Sequence, residues 1–148
     1  MQNSVPKGEG GMLAVLGTKI ENIEKILKEN RKDFKAQIAN DNTDGQIVLS
    51  GKTNDLELMS VFLKNEKIKN IKLPVSAPFH CDLMAKATVV MKEEFENINF
   101  KQSDITLISN VTADKISNID ELKSLLINQI EKILTVGDAV KFIEGKAN

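Results

Sequence analysis

The chain has 148 residues, 41% hydrophobic and 28% charged, which suits one ordinary soluble domain or a small subdomain joined to part of another. A net charge of −1 and 4% aromatic residues, without tryptophan or tyrosine, exclude a basic nucleic-acid footprint, a basic membrane surface and broad stacking platforms. A single cysteine forms no internal disulfide, no apolar run is long enough to span a bilayer and no signal-peptide pattern opens the sequence, so a cytoplasmic protein is expected.

Residues 1–11 are polar and carry Pro6, Gly8, Gly10 and Gly11, which predicts an irregular lead-in. They hold neither a Walker pattern nor G-x-G-x-x-G, so the glycines read as flexible backbone rather than a phosphate loop. Met12–Leu16, closed by Gly17, predicts a buried strand. Thr18, three residues before Glu21, has the form of a capping box, and Ile20, Ile23, Ile26 and Leu27 fall on one helical face. Lys35–Asn42 and Gln46–Ser50 predict two strands joined by a turn through Asp44-Gly45. Asn54 and Glu57 are placed to cap a second helix with an apolar stripe of Leu56, Met59, Phe62 and Leu63, and Ile68–Val75 predicts a further strand. The order βαββαβ is the split arrangement of ferredoxin-like folds: a four-stranded antiparallel sheet with both helices on one face.

Leu73–Met84 then changes the organisation of the chain. It holds two of the three prolines, Pro74 and Pro78, with the only histidine, His80, and the only cysteine, Cys81. Both prolines lack an amide proton and bias the preceding residue toward extended backbone, which predicts a loop ending the strand. A helix follows from Asp82 to about Asn97, with Met84, Ala87, Met91, Phe95 and Ile98 at helical spacing. Ile105–Val111 is apolar and β-branched, a predicted buried strand. Ser117 or Asp120 is placed to cap a last long helix through Ile119, Leu122, Leu126, Ile130 and Ile133, and Ala139, Val140, Phe142 and Ile143 suggest one more in the tail. The expected division is a lead-in over 1–11, a ferredoxin-like subdomain over 12–75, and over 76–148 a portion of a larger α/β domain. A lone strand with flanking helices lacks sheet partners; its alternative is to extend the edge of the small sheet.

His80 falls just before a helix N-terminus, where free amide protons and the helix dipole disfavour a further positive charge. A neutral imidazole there suits a general base, but a single histidine is as readily structural, and chemistry alone leaves both readings open. Cys81 reads as a small buried hydrophobe rather than a nucleophile.

Three collinear stretches carry a resemblance. Pro74-Val75-Ser76-Ala77-Pro78-Phe79-His80-Cys81-Asp82-Leu83-Met84 resembles the active-site histidine segment of the malonyl-CoA:acyl-carrier-protein transacylases. Val5-Pro6-Lys7-Gly8-Glu9-Gly10-Gly11-Met12-Leu13-Ala14-Val15-Leu16-Gly17 and Asn40-Asp41-Asn42-Thr43-Asp44-Gly45-Gln46-Ile47-Val48-Leu49-Ser50-Gly51 resemble the same family in the same order, and Ile108-Ser109-Asn110-Val111-Thr112-Ala113 more weakly. The resemblance implies an α/β-hydrolase-like acyltransferase domain carrying a ferredoxin-like insert. It also implies ping-pong transfer of malonyl from coenzyme A to acyl carrier protein in fatty acid biosynthesis, through a serine acyl-enzyme. By the same resemblance His80 is the catalytic base, and Phe79, Asn40, Asn42, Asn110 and Met12 border the substrate. A ring at Phe79 points to malonyl over methylmalonyl. Malonyl-CoA and acyl carrier protein are the implied partners, with no cofactor, metal, nucleic acid or membrane.

The sequence departs from the family pattern at several points, among them Ile133-Leu134-Thr135-Val136-Gly137-Asp138, where the family usually carries Pro-Val. No serine has glycine at both −2 and +2, so the G-x-S-x-G nucleophile elbow is absent, and the only arginine, Arg31, lies outside the family's arginine-bearing helix. The expectation is an internal piece of such an enzyme, inactive alone. The rival readings are a ferredoxin-like small-molecule or regulatory module with a helical extension, and a hydrolase built on Cys81 or Ser76. The first leaves the matches around His80 unexplained, and the second has no evident oxyanion hole.

Overall fold

The computed structural model of the chain describes residues 5–43 and 45–147. Four strands, β1 (Gly10–Leu16), β2 (Ala36–Thr43), β3 (Gln46–Lys52) and β4 (Lys69–Lys72), form one sheet in the order β2-β3-β1-β4, each neighbour antiparallel. Strand side chains alternate between faces. Leu13 and Val15 of β1, Ile38 of β2, and Ile47 and Leu49 of β3 share one face. There they meet Ile23 and Ile26 of α1 (Ile20–Glu29) and Leu56, Met59 and Leu63 of α2 (Thr53–Asn65) in a single core. Burying each such aliphatic side chain contributes about 1.5–3 kcal/mol. Both helices therefore cover the same face, which is the ferredoxin-like βαββαβ arrangement.

Several boundaries and caps differ from expectation. The first strand begins at Gly10, because Gly10 and Gly11 pair with Lys52 and Gly51. The Thr18–Glu21 capping box does not form: Lys19 is the N-cap of α1, and the Thr18 hydroxyl accepts from Asn22 Nδ2 at 3.0 Å. The second helix starts at Thr53, ahead of Asn54, with Thr53 N donating to Glu9 O at 3.0 Å and its hydroxyl to Gly8 O at 2.7 Å. Glu57 instead accepts from Lys72 Nζ at 3.3 Å. The last strand is shorter than Ile68–Val75; Leu73 N still reaches Met12 O at 2.9 Å, but Pro74 brings no amide to continue. In the hairpin turn Asp44 lies outside the described residues, and Gly45 takes φ +83°, a conformation that favours glycine.

The chain then crosses to the opposite face of the sheet. Met12, Ala39 and Val48 are buried there under Leu73 and Phe79. A single 3-10 turn, Asp82–Met84, leads into α3 (Ala85–Glu96), where Met84 and Ala87 pack on Ile130 with Phe79 and Met91 at their border. The helix α4 (Ile119–Asn128) is capped by Asn118, whose Oδ1 accepts from Glu121 N at 2.9 Å, not by Ser117 or Asp120. It stops at Asn128, so Ile130 and Ile133 lie beyond it. The tail forms α5 (Val136–Ala147).

Ile105–Val111 is not a strand. Its one ladder contact is an isolated bridge between Ile108 and Lys115, and Ile105 is 76% exposed. The run joins neither edge of the sheet. At β2 a different residue bonds: Leu134 N donates to Ala39 O at 2.8 Å and Leu134 O accepts from Asp41 N at 2.9 Å, beside a bulge in β2. Among the described residues no helix is long and apolar enough to cross a membrane.

Candidate active site around His80

Three contacts fix the turn that carries His80. Pro78 is fully buried against Gly10, where a Cβ would lie 2.3 Å from Pro78 Cδ, so the close approach requires glycine. Cys81 Sγ donates to Pro78 O at 3.1 Å. Gln37 of β2 and Asp82 bond reciprocally: Gln37 Nε2 donates to Asp82 Oδ2 at 2.6 Å, and Asp82 N donates to Gln37 Oε1 at 3.0 Å. Between these anchors His80 has φ +58°, left-handed backbone that costs a non-glycine residue about 1–2 kcal/mol. Strain of this kind persists only where the surroundings enforce it, and it concentrates at functional sites.

The imidazole has a definite proton arrangement. His80 Nδ1 lies 2.5 Å from the carbonyl oxygen of Gln129. A carbonyl only accepts, so Nδ1 carries the hydrogen, and in the neutral ring Nε2 is left with a free lone pair. Gln129 is the C-cap of α4, where terminal carbonyls have no partner inside the helix and the dipole is negative. The helix dipole expected from a following N-terminus is thus not the anchor of this ring; a helix C-terminus packed against it is. Sequence reasoning missed Gln129. The available signal was that the last carbonyls of any helix need donors, but nothing in the sequence says which helix ends at His80.

The other sequence-derived positions separate into two groups. Asn110 joins His80 through Gln129: its Nδ2 donates to Gln129 Oε1 at 3.4 Å, and its carbonyl accepts from Thr135 N at 2.7 Å. Phe79 lies beside His80, ring centroids 6.5 Å apart, and packs on Met12 at the sheet. Asn40 and Asn42 are half-buried on β2, one at the Leu134 bridge, the other with its carbonyl where a Cβ on Gly137 would sit at 2.9 Å. A groove of about 760 Å³ runs from His80 and Asp82 past Glu131 and Lys132 to Arg31 and Lys35. Phe79, Met12, Asn40, Asn42 and Asn110 do not line it, whereas Phe79 and Ser76 line a separate groove with Lys72. Arg31, remote from any family motif in sequence, therefore shares a groove with His80.

Cys81 is 1% exposed. Burial pushes its thiol up from the ordinary value, with the carboxylates of Asp82 and Glu131 adding to the effect against an opposing backbone hydrogen bond from Leu83. A thiol held protonated and covered is a poor nucleophile, which removes the chemistry a Cys81 hydrolase needs. Among the described residues no group of three His, Cys, Asp or Glu side chains is placed to hold a metal ion.

No protein-family model matches the sequence. Among curated proteins it is 39% identical over 132 residues to the malonyl CoA-acyl carrier protein transacylase of Bacillus subtilis, covering 88% of this chain and 42% of the relative. It is 30% identical over 131 residues to the transacylase of the same name from Escherichia coli, again covering 42% of it. Solved structures agree. The malonyl CoA-acyl carrier protein transacylase of Clostridium perfringens superposes with a TM-score of 0.89 at 35% identity, over 98% of this chain and 46% of that one. A malonyl-transacylase solved in complex with a type II PKS acyl-carrier protein superposes with a TM-score of 0.92 at 26% identity, over 99% and 48%. Along nearly its whole length the chain is homologous to malonyl CoA-acyl carrier protein transacylases, and it spans a little under half the length of those it matches.

Proposed function

We propose that the chain is the histidine-bearing part of a cytoplasmic enzyme that moves malonyl from coenzyme A to acyl carrier protein in fatty acid biosynthesis. In this reading residues 12–75 are the ferredoxin-like subdomain, with β1 taking in the end of the 1–11 lead-in, and residues 76–148 belong to the larger acyltransferase domain. The observation that carries it is the contact of His80 Nδ1 with the Gln129 carbonyl oxygen. With Nδ1–H donated to Gln129 O, Nε2 is the free base.

The proton balance follows from that geometry. Nε2 accepts the hydroxyl proton of a serine as its oxygen bonds the malonyl thioester carbon. The imidazolium returns the proton to the departing coenzyme A thiolate, leaving the malonyl-serine ester. In the second half Nε2 takes the proton of the phosphopantetheine thiol of acyl carrier protein as its sulfur attacks the ester, and gives it back to the serine oxygen. No serine of the chain stands in G-x-S-x-G, so the nucleophile comes from a portion of the enzyme outside these residues. In this reading Phe79, beside His80, stands at the apolar border of the acyl site and Asn110, joined to His80 through Gln129, at its polar border, while Met12, Asn40 and Asn42 support that border from the sheet without lining the His80 groove.

The test joins the chain to the serine-bearing amino-terminal portion of the Bacillus subtilis relative. The joined protein should transfer malonyl from coenzyme A to acyl carrier protein and the chain alone should not. A soluble, folded joined protein without transfer contradicts the reading.

A further inference from the structure

The carbonyl that orients His80 belongs to a turn with no regular structure of its own. Gln129 and Ile130 follow the last residue of α4, and the chain reverses through Glu131 and Lys132, whose amides both return to Asn128 O. One side-chain hydrogen bond ties this turn to the helix that follows His80. Thr88, in the first turn of α3, donates its hydroxyl to Glu131 Oε1, with both residues half-buried. Thr88 lies one helical turn past Met84, and Met84 and Ala87 already pack on Ile130, the residue between Gln129 and Glu131. The polar contact therefore closes an apolar one, on either side of the residue next to the acceptor carbonyl.

We infer that Thr88 and Glu131 are positioning residues for His80: their bond holds the 129–131 turn so that Gln129 O faces Nδ1 and the lone pair stays on Nε2. They touch no reacting atom. A hydrogen bond to a carboxylate is among the stronger ones a neutral hydroxyl makes, and here it sets the place of a carbonyl two residues away. Without it the apolar Ile130 contact still packs the turn, but packing does not fix the turn's rotation, and a displaced carbonyl releases the tautomer. This inference rests on His80 being the general base for its meaning in catalysis, but its test needs no turnover.

The chain has one histidine, so its imidazole nitrogens are read without assignment ambiguity. The experiment is 15N NMR of the imidazole in the full chain, with the ring neutral and the fold monitored by amide spectra. The wild-type chain should show a protonated Nδ1 and an unprotonated Nε2. Thr88→Val, which keeps the shape and removes the donor, should move the two nitrogen shifts toward each other as the tautomers mix. Thr88→Ser should restore the wild-type pattern. Glu131→Leu, which removes the acceptor, should also mix the tautomers and gives the answer if the valine variant fails to fold. A folded Thr88→Val or Glu131→Leu chain with wild-type nitrogen shifts overturns the inference, as does a wild-type chain protonated on Nε2. Any of these leaves the acyl-transfer reading to be judged separately by the transfer assay.

Discussion

At the level of single residues, the geometry around His80 depends on groups chosen for what they omit. Gly10 omits a side chain so that Pro78 can lie on the sheet. Gly10→Ala would drive a methyl group into the proline ring, 2.3 Å away, and should destabilise the chain by roughly 1–3 kcal/mol in denaturant titrations. Cys81 contributes a covered, neutral thiol. Burial holds its folded pKa above the ordinary thiol value of the unfolded chain, so as pH rises the unfolded chain releases the thiol proton first. The unfolded state then binds fewer protons, and stability falls with increasing pH. That loss should begin near the unfolded thiol pKa and be absent in Cys81→Ala, as read from denaturation midpoints between pH 7 and 10. Equal pH slopes for the two proteins would contradict the burial argument. The motif residues were legible in the sequence because Pro74, Pro78, His80 and Cys81 are rare types crowded into one stretch. Gln129 was not, because it acts through a backbone carbonyl, which every residue possesses.

At the level of elements, periodicity placed β1, β2, β3, α1 and α2 well, since each buries one face, and placed β4 and α4, which bury no residue, with wrong ends. Caps were read less well. Thr18, Asn54 and Ser117 each have a suitable side chain, but the helix begins where tertiary packing places its first turn, and a shift of one residue hands the role to a neighbour. Asn118 does cap α4, and Asn118→Ala should cost about 1 kcal/mol of stability, whereas Ser117→Ala should cost little in the same thermal or denaturant assay. The Ile105–Val111 run shows the limit of local reading. Its composition is that of a buried strand, but a strand needs a neighbour, and the one edge contact at β2 is made by Leu134.

At the level of the whole molecule, the two parts of the chain are unequally covered. The helix face of the sheet is closed by α1 and α2, with Leu58, Val61, Ile71 and Val75 exposed elsewhere in residues 12–75, while after residue 76 twice as many large apolar side chains are exposed, Ile105 most of all. Scattered apolar side chains are ordinary, but this concentration in one half indicates a surface meant to be covered. The chain should therefore bind a hydrophobic dye such as ANS, and the signal should fall when it is joined to the amino-terminal portion of a relative. Unchanged dye binding in a folded joined protein would count against it. Deleting residues 76–148 is a poorer test, because it uncovers Met12 and Val48 on the second face of the sheet.

The joined protein also allows the most direct measurement of what His80 does. Initial rates of malonyl transfer from coenzyme A to acyl carrier protein should fall roughly a hundredfold or more in His80→Ala, the range for loss of a general base. Cys81→Ala should leave those rates nearly unchanged, since the buried thiol has only a packing role. Transfer that persists in His80→Ala and is abolished in Cys81→Ala would contradict the assignment of His80 as the base.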